Sequence, residues 1–142
     1  VKNLKNENST LIKGLKKSQQ KLIQFYSDFY LSKFFKENDY NFLIQKLDME
    51  NDLMRSLSFN LTGKVSNSVI IFYNVDSNKL NIICNISKSL PENSKIDASH
   101  IINKICEEIG GAGGGQRYYA SGSGPKNDKI ENIIKTATKN LL

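Results

Sequence analysis

A chain of 142 residues with 39% apolar side chains is long enough for one globular domain around one core, and no apolar run reaches the length of a membrane span. The formal charge of +6 is placed unevenly: residues 1–36 carry eight Lys against Glu7 and Asp28, whereas residues 37–142 carry equal numbers of basic and acidic side chains. A uniformly basic protein is thereby excluded, which leaves two accounts of the excess, a lysine-solubilised exposed helix or a surface that faces phosphates.

The first residue is Val1, and the Lys- and Asn-rich start has no apolar block behind it, so the chain reads as a fragment of a longer protein without a signal peptide. Residues 4–36 contain no Pro, and their apolar residues fall in two rows seven apart. Leu4, Leu11 and Phe25 form one row and Leu15, Leu22 and Phe29 the other, interrupted only by Asn8 and Ser18. Ile12, Ile23, Tyr26 and Tyr30 widen the stripe. This spacing predicts an amphipathic helix of about 33 residues and roughly 50 Å. Such a helix outruns one small domain, so its seam calls for a partner, with self-association as the hypothesis.

Glu37-Asn38-Asp39 is a turn signal, and Tyr40–Leu47 reads as a strand. Residues 51–62 predict a short helix with Leu53, Met54, Leu57 and Leu61 on one face and Gly63 just past its end. Two strong strands, Val69–Val75 and Leu80–Ile86, flank a hairpin turn at Asp76-Ser77-Asn78-Lys79. A loop at Pro91–Ser94 leads to a helix that starts at Asp97, buries Ile101, Ile102, Ile105 and Ile109, and stops at Gly110-Gly111. Tyr118–Ser121 reads as a further strand. The last helix begins near Pro125–Asp128, with Asp128 and Glu131 as a capping box, and buries Ile130, Ile133, Ile134, Ala137 and Leu141. The order predicts an α+β fold: a long N-terminal helical segment, residues 1–38, then a globular mixed-sheet domain, residues 39–142, covered by helices.

Residues 110–124 hold seven of the nine glycines. A cluster this dense marks a place where main chain comes close to something, either an anion or sugar seated on consecutive backbone N–H groups or the sheet itself, packed tightly. It is not a dinucleotide fingerprint: Gln116 replaces the last glycine of that pattern, and the stretch leaves a helix and enters a strand, the reverse of the required order. No Gly-Lys-Ser/Thr ending makes it a phosphate-binding P-loop. The single histidine, His100, sits beside an apolar helix stripe and reads as a packed or partly exposed residue rather than a catalyst. Cys84 and Cys106 each lie within an apolar pattern and read as buried, reduced thiols, in keeping with a cytoplasmic setting. No nucleophile elbow and no metal-ligand spacing is present, so no catalytic residue, metal or cofactor is expected.

The run from Gly110 to Gly124 resembles the signature of the C-terminal domain of alanyl-tRNA synthetases. Gly110, Gly111, Gly113, Gly114, Gly115, Ala120 and Gly124 match that pattern in register, and Asn51–Leu57 is similar to the family's short helix before the paired strands. The likeness covers roughly residues 40–142. Gln116, Arg117, Tyr118 and Ser121 depart from the usual basic residue, Pro, Asp and Gln, with Arg117 standing one position beyond the missing positive charge. The same module ends the Asp-His-His phosphoesterases, where a His follows the glycine triplet; Gln116 stands there instead.

The resemblance implies a binding module that grips tRNA at its elbow and carries a dimer interface, while ATP, zinc and the alanylating and editing activities belong to other domains of the parent enzyme. Gly113, Gly114, Gly115, Gln116, Arg117, Tyr118, Lys126, Lys129, Lys13 and Lys17 are the expected RNA contacts, and Leu11, Leu15, Leu22, Phe25 and Phe29 the expected dimer seam. Strand alternation puts Tyr118 and Tyr119 on opposite faces, so only one of them can reach RNA. Two alternatives stay open: the substrate-binding domain of an oligonucleotide or cyclic-dinucleotide phosphoesterase, and a purely structural oligomerisation module.

Overall fold

The computed structural model describes residues 17–90 and 94–139. Expectations for Leu11, Lys13, Leu15, Leu141 and most of the 91–94 loop lie outside the described residues. The architecture is α+β. Helix α1, residues 17–30, is followed by a 3-10 turn at Leu31–Lys33, strands β1 (Phe35–Glu37) and β2 (Tyr40–Lys46), and helix α2 (Asn51–Lys64). Then come β3 (Ser68–Asp76), β4 (Lys79–Ile86), α3 (Ala98–Ile109), β5 (Ala112–Gly115), β6 (Tyr119–Pro125) and α4 (Ile130–Lys139). The strands form one six-stranded mixed sheet in the order β1-β2-β3-β4-β6-β5, with β2 and β3 parallel and the other pairs antiparallel.

The helical reading of residues 4–36 is corrected at its C-terminal end. Phe34 is extended, and Phe35–Glu37 turn back onto Tyr40–Phe42 as a hairpin edge. Two effects outweigh another helical turn. Asn38 and Asp39 both take positive φ, 50° and 69°, the geometry of a hairpin turn, and the Phe35 ring stacks on Phe42 at 5.7 Å. The β3–β4 hairpin closes in the same way at Ser77 and Asn78, where the sequence placed it.

Helix α2 runs through Gly63 to Lys64 rather than stopping before that glycine, and its cap is Val65, whose N–H donates to Leu61. The expected Asp128/Glu131 capping box is not used: Asn127 Oδ1 accepts from the Lys129 N–H just ahead of α4, which begins at Ile130. Helix α3 begins and ends as read. Asp97 accepts from the N–H groups of Ser99 and His100, and Gly110, at φ 71°, closes the helix in a conformation that disfavours a side chain. Replacing Asp97 with Ala removes that cap and is expected to cost about 1 kcal/mol of unfolding free energy, measured by urea titration.

The central strands β3 and β4 are buried on both faces, which is why Val69–Tyr73 is a continuous apolar run. Val69, Ile71, Tyr73, Leu80, Ile82, Cys84 and Ala120 face the stripe of α3 and α4, made of Ile101, Ile102, Ile105, Ile109, Ile130 and Ile134. Ile70, Phe72, Leu43 and Ile83 face α2 through Met54, Leu57 and Leu61, with Ile23, Tyr26 and Tyr30 of α1 packed alongside. Cys84 and Cys106 are free and buried in the larger cluster, and burial pushes both thiols above their ordinary range. No described helix is long and apolar enough to cross a membrane.

Candidate nucleic-acid interface

The glycine-rich stretch is an edge hairpin rather than a loop. Ala112–Gly115 pair with Ala120–Ser123 across a turn at Gln116, whose N–H donates to the Tyr119 carbonyl at 2.8 Å. Local propensity gives no warning of β5, since Ala-Gly-Gly-Gly has the weakest strand preference available. Its hydrogen bonds to β6 and the helix beneath it make it a strand.

The glycines divide by face. A Cβ on Gly122 would lie 2.5 Å from the Cys106 Sγ, and one on Gly124 2.9 Å from the Ile109 Cδ1, so these two let α3 lie directly on β6. A Cβ on Gly113 would meet Gly122, the Ser121 carbonyl and the Ile102 side chain at 2.7 to 2.8 Å, and one on Gly115 the β6 backbone at 2.5 Å. Gly114 is different: a Cβ there meets nothing within 4 Å, and its φ is not in the left-handed region. It shares the outer face with Ala112, opposite Ser121 and Ser123. Both readings of the glycines are therefore present. Close packing accounts for Gly111, Gly113, Gly115, Gly122 and Gly124, Gly110 closes α3 at positive φ, and Gly114 is the strand glycine of the hairpin at which a side chain would meet nothing.

Ala112, Ser121 and Ser123 floor a cleft of about 400 Å³ between the hairpin and α2, with Asn81 and Ile83 of β4, Tyr119 of β6 and Asn51, Asp52 and Arg55 of α2 completing it. Its α2 wall is pinned to the sheet at two points. Asn74 Nδ2 donates to the Met49 carbonyl and to Asn51 Oδ1, both at 2.8 Å, and Asn81 Nδ2 donates to Asn74 Oδ1 at 3.0 Å. Two turns further on, Asn85 Nδ2 donates to Ser58 Oγ, whose hydroxyl donates to the Arg55 carbonyl. Buried amides satisfied in this way fix the helix against the sheet.

At the cleft mouth the Phe59 and Tyr119 rings stack at 5.2 Å, 26° from parallel, and the Arg55 guanidinium lies 5.8 and 5.2 Å from their centroids. Burial raises the Tyr119 hydroxyl's pKa, and the Arg55 charge partly opposes that shift. Tyr118 points the other way and packs against the larger core, with Arg117 over its ring at 5.6 Å. Arg117 also donates to the Ser94 carbonyl and accepts from the Ala98 N–H, bracing the start of α3.

The sequence-selected residues are thus not gathered in one place. Gly114 opens beside the cleft, and Gln116 is exposed at the hairpin tip. Lys126 is exposed just past β6, Lys129 lines the groove between α3 and α4 on the opposite face of the sheet, and Lys17 is exposed on α1. His100 is exposed on α3. Sequence reasoning missed Arg55, Phe59, Asn51, Asn81 and Ser123. The legible signal was the four-residue spacing of Arg55 and Phe59 on the polar side of α2.

On α1 the stripe splits in two. Ile23, Tyr26 and Tyr30 pack on the domain, Tyr30 at 6.2 Å from the Phe72 ring, while Leu22, Phe25 and Phe29 are 40%, 67% and 53% exposed.

Residues 39–141 match the family model described as the DHHA1 domain. The chain is 28% identical over 137 residues to the alanine–tRNA ligase of Flavobacterium psychrophilum, matching 96% of this chain but 15% of that protein. The chain therefore spans about one seventh of the length of that curated relative. Among solved structures it resembles the C-Ala domain of Aquifex aeolicus alanyl-tRNA synthetase, with a TM-score of 0.68 at 22% identity over 77% of this chain and 96% of that one. It also resembles the DHH domain of a member of the s1p family of ribosomal proteins, with a TM-score of 0.61 at 15% identity over 94% of this chain and 32% of that one.

Proposed function

The chain belongs to the DHHA1 domain family, and on that premise we propose that it is the C-terminal domain of an alanine–tRNA ligase, one that binds tRNA through the cleft beside the glycine hairpin. The observation that carries this reading is the open main chain at Gly114, on the same face as a cleft edged by Arg55 and Tyr119. A phosphate or ribose can approach β5 there with no side chain between, and hydroxyls, amides and a guanidinium lie within the same concavity. The lysines of residues 1–36 add a charge that strengthens RNA contact without reading sequence.

The exposed row of Leu22, Phe25 and Phe29 is the surface on which a second copy's α1 packs, so the domain pairs two ligase chains while it holds tRNA. Alanylation and editing belong to the remainder of the ligase. The phosphoesterase reading would place Gln116 at the position of a His. A purely structural module would leave the cleft without a ligand.

The test is binding of the 142-residue chain to folded tRNA and to an unstructured RNA of equal length across a salt series. Preference for folded tRNA that persists as salt rises is the expected result. Equal, weak binding that disappears with salt would reduce the charge of residues 1–36 to a generic attraction and leave dimerisation as the domain's role.

A further inference from the structure

We propose that Arg55, Phe59 and Tyr119 form a seat for one nucleobase with a free face, with Phe59 as the stacking surface and Arg55 on the adjoining phosphate; this rests on the RNA-binding reading above. The rings of Phe59 and Tyr119 are already stacked at 5.2 Å, so a platform stands ready without the cost of ordering it. Phe59 is 46% exposed, a large apolar ring left in solvent at the rim of a polar cleft. Tyr119 covers part of it and anchors it to the smaller core.

Arg55 spans both rings yet forms no salt bridge among the described residues, which leaves its fork of donors directed by the aromatic faces rather than by a carboxylate. The polar pins of Asn74–Asn51 and Asn85–Ser58 hold α2, and with it the platform, at a set height above the sheet.

The neighbouring cleft decides the chemical class. An apolar peptide side chain would need an apolar pocket, but Asn51, Asp52, Asn81, Ser121 and Ser123 offer donors and acceptors beside the ring stack. A flat heteroaromatic ring with polar edges and an attached sugar phosphate satisfies both parts: the ring on Phe59, its edge or ribose over the serines and Asn81, its phosphate at Arg55. A base in a duplex has its faces covered by its neighbours. The seat therefore selects a base unstacked on at least one side, as in a loop or at a corner of a folded RNA.

The chain contains no tryptophan, so Phe59→Trp introduces a single emission reporter at the platform that still stacks. With a tRNA transcript as probe, Phe59→Trp is expected to bind like the wild type and to lose emission on saturation, while Phe59→Ala binds roughly tenfold more weakly. Arg55→Gln is expected to lower the slope of log affinity against log salt by about one. Unchanged indole emission from the Phe59→Trp variant at saturation, or wild-type affinity in Phe59→Ala, overturns the seat while leaving RNA binding intact. Failure of the wild-type chain to bind tRNA overturns both readings together.

Discussion

Gly122→Val is expected to lower the melting temperature of this domain by roughly 5 to 15 °C, whereas Gly114→Val is expected to leave it within a few degrees and instead to weaken the proposed tRNA binding. The two glycines lie on neighbouring strands of one hairpin, and composition does not tell them apart. A Cβ on Gly122 would lie 2.5 Å from the Cys106 Sγ and 3.1 Å from the Ile102 Cγ2. Valine would force α3 off the sheet where Ile102, Ile105, Cys106 and Ile109 are buried. Overpacking a filled core costs about 1–3 kcal/mol, which sets the size of the fall.

At Gly114 a Cβ points into open space, and the residue's φ lies outside the left-handed region, so valine fits the strand and even narrows the unfolded ensemble. Its methyls would stand over the β5 main chain at the proposed RNA contact, and an affinity loss of tenfold or more is expected. Thermal melting and a tRNA titration on both variants decide the matter. If Gly114→Val melts as early as Gly122→Val, the whole hairpin is structural; if it binds tRNA normally, the open main chain is not the contact.

If α1 is the dimer seam proposed above, Phe25→Lys combined with Phe29→Lys is expected to convert a dimer to a monomer. Fully burying a Phe is worth about 1.5–3 kcal/mol, and a two-fold seam buries each one twice. With 67% and 53% of the two side chains left to bury, removing both withdraws about 4–7 kcal/mol of gross burial, a large share of a micromolar association at about 8 kcal/mol. The fold should survive, because Phe25 and Phe29 are 67% and 53% exposed and the domain is held by Ile23, Tyr26 and Tyr30 on the other side of α1. Light scattering reads the result directly. A wild-type chain that is already monomeric, or a variant that keeps the dimer mass, removes α1 as the seam.

These predictions divide along the line between what was legible in the chain and what was not. The strands of the β3–β4 hairpin, the stripe and caps of α3 and the buried cysteines depend on short-range pattern: alternation or 3.6-residue spacing, a turn residue, an N-cap and a closing glycine. Those signals sit close in sequence to the element they specify, so the sequence by itself determined them, and with them the α+β class. The matched glycines also carried the family resemblance, because that pattern is linear.

What only the tertiary structure decided depends on partners distant in sequence. Helix α1 gives way at residue 30 to a turn that delivers Phe35 to β2, which offers it a strand to join and the Phe42 ring to stack on, and the apolar rows of residues 4–36 do not reveal this. Ala112–Gly115 is a strand because β6 and α3 lie against it. A glycine has no side chain to announce its direction, so whether it admits a helix or opens to solvent is settled by what packs behind it. The cleft mouth joins Arg55 and Phe59 of α2 to Tyr119, far along the chain, through the pairing of β4 with β6 and the amide pins that hold α2 down. Such a convergence is a property of sheet order, and sheet order follows from burying two apolar faces at once rather than from any local run of residues.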